Sequence, residues 1–225
     1  MFKMKKYIPI IGTLFFFSCS VSNKIIDKPI IFDDEREMLS LQYLSERYGI
    51  EKEVPTITPK MIVLHWTSIP DFQNTFEAFK QTKISDRRPN IKSSGELNVS
   101  SQFVVDQDGT IYRLMNETTM ARHVIGLNHC AIGIENVGGT KETPLTKAQL
   151  KSNIKLVKYL SSKYNIDYLI GHYEYTNFVG HELWLEKDPN YRTTKTDPGK
   201  DFLDGVKKAT KKLNFKQTPQ IQNSK

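Results

Sequence analysis

The chain has 225 residues, 38 % hydrophobic and 25 % charged, with a formal charge of +7. That is the composition of a globular protein, one domain with a short appendage, long enough to bury an ordinary core. It holds no low-complexity tract and no internal repeat, so neither a disordered chain nor a repeat array is expected.

The N-terminus differs in kind from the rest. Lys3, Lys5 and Lys6 precede an apolar run over residues 7–17, followed by Ser18 and Cys19. The run is short of the roughly 20 apolar residues of a membrane span, and its basic start marks residues 1–18 as a signal peptide. Phe16-Phe17-Ser18-Cys19 resembles the end of a bacterial lipoprotein signal, in which the cysteine becomes the lipidated first residue. The only other cysteine is Cys130, so lipidation of Cys19 leaves no intrachain disulfide. Cys130 reads as a nucleophile or as a small buried hydrophobe, and the second reading suits the residue type better.

Residues 19–55 are polar and irregular, with an acidic patch from Asp33 to Glu37. They read as a lipid-anchored tether containing a short helix over residues 37–48 and a linker ending at Pro55. The domain proper is expected over residues 56–215. Residues 61–66 form a near-continuous apolar run, a strand covered on both faces. Ser68 to Asp71 has the spacing of a helix start, and Phe72, Phe76 and Phe79 then share a helical face. Residues 83–98 are long, polar and basic, a loop. Residues 101–105 and 110–114 flank Asp108-Gly109 and predict a hairpin. Residues 131–137 predict another strand. Thr146 and Gln149 form a capping box ahead of Leu150, Ile154, Val157 and Leu160, which predicts a long amphipathic helix to about residue 164. A short strand over residues 168–171 and a helix over residues 201–213 close the domain, and residues 216–225 are expected as a flexible tail. Alternating strands and helices with one hairpin predict an α/β fold, a mixed central sheet flanked by helices.

His65 and His172 each end a buried strand, where clefts form in α/β sheets. Either alone reads as a hydrogen-bonded core histidine; the pair reads as metal ligands. Asp197 sits in Asp-Pro-Gly, which alone is a turn. Two imidazoles and a carboxylate suit Zn²⁺ and leave a fourth tetrahedral position open. Strand alternation puts Ile132 and Ile134 on one face and Gly133 and Glu135 on the other. Glu135 is then a solvated charge or a general base aimed across a glycine gap.

Five segments in order resemble the type 2 N-acetylmuramoyl-L-alanine amidases, relatives of the peptidoglycan recognition proteins and the phage zinc amidases. They are Val63 to Ser68 around His65, Val99 to Thr110, Asn128 to Asn136, Ile170-Gly171-His172, and Lys195-Thr196-Asp197-Pro198-Gly199. The resemblance spans roughly residues 60–205. It implies a peptidoglycan-recognition-protein-like amidase fold, with Zn²⁺ on His65, His172 and Asp197. Glu135 is implied as the catalytic acid-base residue and Lys195 as stabiliser of the oxyanion. His123, Asn128, Arg87 and Arg88 are expected to meet substrate. The implied partner is peptidoglycan or its muropeptide fragments.

The sequence departs from the family's pattern at Gln102, where the family commonly has His, and in a long insert over residues 173–196. That insert is expected as a lid or wall, and its Glu174 and Asp188 are alternative ligands. A monomer on the periplasmic side of the outer membrane is expected, held there by the lipid, with no nucleic-acid partner. The basic tail, Lys207 to Lys216, reads as a solvated face. The rival reading is a non-catalytic peptidoglycan-binding envelope lipoprotein.

Overall fold

The computed structural model describes residues 24–86 and 88–220. Its frame is one six-stranded sheet in the order β1-β4-β3-β5-β2-β6. The strands are β1 (Ile25–Asp27), β2 (Met61–Leu64), β3 (Phe103–Val105), β4 (Ile111–Arg113), β5 (Ala131–Asn136) and β6 (Tyr168–Gly171). Only the β3–β4 pair is antiparallel, as the Asp108-Gly109 turn requires, so the mixed α/β sheet expected from the sequence is what forms.

The helices are α1 (Asp34–Tyr43), α2 (Phe72–Lys80), α3 (Pro89–Lys92), α4 (Lys147–Lys163) and α5 (Lys200–Ala209). Among the described residues no helix is long and apolar enough to cross a membrane.

The central strands β2 and β5 are apolar on both faces because both are covered. Ile62, Leu64, Ile132 and Ile134 pack with Leu156, Val157 and Leu160 of α4 and with Leu203 and Val206 of α5. Met61, Val63, Ala131 and Ile170 pack on the other side with Val124, Leu127, Tyr175 and Phe178. The α4 capping box forms as expected. Thr146 Oγ1 accepts from Gln149 N–H at 3.1 Å, and Thr146 N–H donates to Gln149 Oε1 at 2.9 Å.

Several expectations are corrected. Residues 24–48 are not a tether. β1 pairs with β4 in parallel register, and Leu39, Tyr43, Leu44 and Tyr48 are buried in the main core. Arg36 is also buried, donating to the carbonyls of Phe79, Lys80 and Gln81 at the C-terminal end of α2. The reason is that apolar residues at helical spacing lie among the acidic ones, and together they bury more than a solvated tether would. The helix there starts at Asp34 and continues as a π-turn over Leu44–Tyr48.

α2 starts later than Ser68, which takes a left-handed conformation outside the helix; Asp71 caps it by accepting from Asn74 N–H at 2.8 Å. Loop 83–98 carries the single turn α3 and is held by Arg122, which donates to Gly95 O, Leu97 O and Ile91 O. The C-terminal helix ends at Ala209, with a 3₁₀ turn at Lys211–Leu213. Beyond it, Lys216 N–H bonds Asp167 O at 2.8 Å, so the start of the expected tail is pinned to the domain. The signal-peptide segment, Cys19, Arg87 and residues 221–225 lie outside the described residues.

Candidate metal and catalytic site

The register of three parallel strands assembles the site. Leu64 of β2 is level with Ile134 of β5 on one side and with Gly171 of β6 on the other. One step on, His65 lies between Glu135 and His172, all at the carboxyl edge where parallel sheets place ligands. Residues paired across parallel strands share a face, so the three side chains leave the same side of the sheet. A buried polar ladder fixes the central one: Asn136 Nδ2 donates to His65 O at 2.9 Å, and Asn153 Nδ2 to Asn136 Oδ1 at 2.6 Å. Asp197 arrives from the turn before α5, where its carbonyl accepts from Tyr173 N–H at 3.1 Å.

His65 Nδ1, His172 Nδ1 and Asp197 Oδ2 form a nearly equilateral triangle. The sides are 3.0 Å between the imidazole nitrogens, and 3.1 and 2.9 Å from these to the carboxylate. All three residues are buried. Hydrogen bonds cannot satisfy all three contacts, because an ionised carboxylate has no proton and each imidazole nitrogen either donates or accepts. Whichever tautomers are chosen, one side of the triangle sets lone pair against lone pair or N–H against N–H. A cation at the apex removes that conflict. Donors around a tetrahedral zinc at about 2.0–2.1 Å stand roughly 3.3 Å apart, close to the spacing found. Among the described residues this is the one cluster of His, Cys, Asp or Glu with donor atoms convergent enough to hold a metal ion.

The electrostatics agree with that arrangement. Burial works to raise the Asp197 carboxyl, but the adjoining His172 and His65 outweigh it and hold the group well below the usual carboxylate range. Burial, with His65 beside it, brings His172 down to about 4. Burial likewise holds His123 well below the ordinary histidine value. These groups are therefore poised as a carboxylate and neutral imidazoles, the forms that ligate.

Glu135 is the exception among its neighbours. Burial pushes its carboxyl up to about 7, against the lowering influence of His65 and Lys195. Its Oε2 is buried without a hydrogen-bond partner. An unsatisfied carboxylate oxygen at a strand end is costly unless something else completes it. Lys195, half-buried, lines a cavity of about 380 Å³ together with His172, His123, Arg88 and Tyr191. Arg88 is exposed beside that cavity.

Other expected site residues also make contacts within the protein. Asn128 is buried and committed to the protein: its Oδ1 accepts from His123 N–H and Val124 N–H, and its Nδ2 donates to Tyr48 OH. It shapes the turn that carries His123 and also lines the cavity. His123 lies behind His65, with Nδ1 3.0 Å from His65 Nε2. The alternative ligands are elsewhere: Glu174 accepts from Gly171 N–H and pairs with Lys207, and Asp188 faces Arg47. Cys130 is buried, and burial pushes its thiol up to about 12, so it is no nucleophile.

The insert over residues 173–196 forms a wall of the cavity through Tyr191 and Thr193. It is tied to the π-turn by Arg47–Glu186 at 2.6 Å and to Arg122, which donates to Tyr191 OH at 3.1 Å. Tyr191 lies in the insert expected as a wall, whereas sequence reasoning missed Arg122 and Tyr43 as cavity residues. Their meeting depends on long-range packing that no local spacing encodes.

The profile of the family described as N-acetylmuramoyl-L-alanine amidase matches residues 55–200. The endolysin of Enterobacteria phage T3 is 28 % identical over 125 residues, covering 53 % of this chain and 78 % of that protein. The endolysin of Escherichia phage T7 is 33 % identical over 88 residues, 37 % of this chain and 58 % of that one. Among solved structures, the N-acetylmuramoyl-L-alanine amidase LysC from Clostridium intestinale URNW is similar with a TM-score of 0.52 and 25 % identity. That match covers 86 % of this chain and 99 % of LysC. Human PGRP-IBETAC, solved in complex with glycosamyl muramyl pentapeptide, shares the fold with a TM-score of 0.51 at 18 % identity, covering 75 % of this chain and 93 % of that one.

Proposed function

The chain belongs to the N-acetylmuramoyl-L-alanine amidase family, and we propose that it is a zinc-dependent member that cuts the amide between the lactyl group of N-acetylmuramic acid and L-alanine. The observation that carries this reading is the convergence of His65 Nδ1, His172 Nδ1 and Asp197 Oδ2 beside the unpartnered Oε2 of Glu135. Zinc held by His65, His172 and Asp197 would supply a Lewis acid that polarises the scissile carbonyl and makes water more acidic. The chain's own residues do the rest. His65, His172 and Asp197 hold the ion in a buried pocket. Glu135 Oε2 takes a proton from the attacking water and delivers it to the departing alanine nitrogen as the carbonyl C–N bond breaks. The Lys195 ammonium steadies the negative charge that gathers on the carbonyl oxygen. Arg88 at the cavity meets the carboxylates of the stem peptide.

A protein that only binds peptidoglycan has no use for an orphaned carboxylate pushed towards neutrality, which is why hydrolysis is the better reading. The test is the full chain loaded with zinc and offered a soluble muramyl peptide and intact sacculi. Release of stem peptide with a free alanine amine is expected. Stoichiometric zinc with no release from either substrate sinks the reading.

The basic start, apolar run and Cys19 support placing the enzyme in the bacterial envelope as a lipoprotein, on the periplasmic side of the outer membrane. Incorporation of labelled palmitate that disappears in Cys19→Ala is the expected result. Unlabelled wild-type protein rules it out.

A further inference from the structure

His65 has a second nitrogen that the metal reading leaves unexplained. With Nδ1 in the triangle, its proton belongs on Nε2. Nε2 lies 3.0 Å from His123 Nδ1, and His123 Nε2 lies 3.2 Å from Ala131 O. A backbone carbonyl only accepts. His123 Nε2 therefore carries its proton, its Nδ1 is a lone pair, and that lone pair receives the proton of His65 Nε2. Every contact in the chain is satisfied by this one placement of protons. The reverse placement would put N–H on His65 Nδ1, inside the triangle, and aim a lone pair of His123 at a carbonyl oxygen.

The strand supplies the room for this arrangement. The rings of His65 and His123 meet edge to face, with centroids 5.1 Å apart. A Cβ at Gly133 would stand 2.9 Å from His123 Cγ and Nδ1. The glycine that the sequence suggested as a gap in front of Glu135 is the floor on which the His123 imidazole lies. Asn128, by binding the N–H groups of His123 and Val124, holds the backbone that delivers it.

The geometry points to His123 as a positioning residue of the metal site: it anchors His65 to the Ala131 carbonyl through two imidazoles, so that the Nδ1 lone pair is fixed towards the ion. The inference rests on His65 as a ligand and not on which bond the enzyme cuts. Outer-shell partners of ligating histidines orient the ring and select its tautomer, and losing one weakens metal affinity roughly 10–100-fold.

Zinc affinity of the full chain, measured by chelator competition, tests it independently of turnover. His123→Leu is expected to weaken zinc by that factor. His123→Gln, whose amide keeps an acceptor and a donor, recovers most of it. Gly133→Ala leaves His123 in place but displaces its ring, and is expected to weaken zinc too. Imidazole ¹⁵N spectra of the zinc-loaded wild type should show both rings as Nε2–H tautomers.

Zinc affinity within about twofold of wild type in both His123→Leu and Gly133→Ala, with both folded, overturns the inference. So does a His65 protonated on Nδ1 in the loaded protein. Should His123→Leu fail to fold, Gly133→Ala and the tautomer spectrum decide. A wild type that binds zinc yet leaves muramyl peptide uncut overturns the amidase reading alone. Full amidase activity with unaltered zinc affinity in the variants overturns this inference alone.

Discussion

Glu135 and His172 separate the two jobs of the site, because one is read as moving protons and the other as holding the ion. His172→Ala is expected to lose stoichiometric zinc and activity together. Glu135→Gln should keep zinc while turnover falls roughly 10²–10⁴-fold; metal analysis beside single-turnover rates checks both. The raised carboxyl adds a pH signature. A buried acid whose folded pKa lies near 7 favours the folded state below its unfolded value and loses that contribution as pH rises through about 7. Metal-free wild type should therefore lose stability relative to Glu135→Gln between pH 5 and pH 8.5; parallel melting curves across that range would contradict the shift. A dication beside Glu135 favours its ionised form, so in the loaded enzyme the acid limb of kcat/KM should lie below 7, rising with pH. His65, His172 and Glu135 were legible in sequence because strand ends and alternation are local patterns. The parts played by His123 and Asn128 were not, since they depend on which nitrogen meets which partner across 58 and 80 residues of chain.

At the scale of elements, the cavity wall is held by the last turn of the helix expected over residues 37–48, which forms as a π-turn. The π-turn Leu44–Tyr48 carries Arg47, whose guanidinium pairs with the buried Glu186 carboxylate and lies over Tyr191. Lys187 N–H donates to Arg47 O, and Leu185 N–H to Gly126 O, so the insert is fastened by backbone as well as by charge. Trp184 covers Gly126, where a Cβ would stand 2.6 Å from the indole. Arg47→Ala leaves Glu186 without its cation, a loss of about 1–3 kcal/mol. Because the metal triangle is on other elements, the expected result is a raised KM, faster proteolysis within residues 179–192, and unchanged zinc affinity. Loss of zinc in Arg47→Ala would mean that the insert supports the ion itself. The helix α4, the hairpin and β6 were readable from capping, turn chemistry and apolar runs. The single turn α3 was not, because it is held by a distant residue, Arg122, and nothing local in the helix expected over residues 37–48 marks its last turn as a π-turn.

Taken as a whole molecule, the domain begins well before the family's own boundary. The matched region starts at residue 55, yet Tyr43, Leu44 and Tyr48 are buried in the core upstream of it. Burying each such side chain is worth about 1.5–3 kcal/mol, and three together rival the whole stability of an ordinary domain, about 5–15 kcal/mol. A chain trimmed to residues 49–225 should therefore fail to unfold cooperatively or stay in solution, and a sharp melt at the full-length temperature would refute that accounting. The same packing shortens the reach of a lipid-held enzyme. A free tether over residues 19–55 would extend to about 120 Å, whereas the stretch from Cys19 to the first strand residue, Ile25, spans at most about 20 Å. If the proposed lipidation at Cys19 holds, so short a stretch would limit how far the domain can stand from the membrane, and with it access to intact wall. Inserting some 30 Gly/Ser residues after Ser20, upstream of the described residues, lengthens the reach. Digestion of intact wall in cells should then rise while hydrolysis of soluble muropeptide by the purified protein stays constant; no change in wall digestion would show that reach does not limit this enzyme.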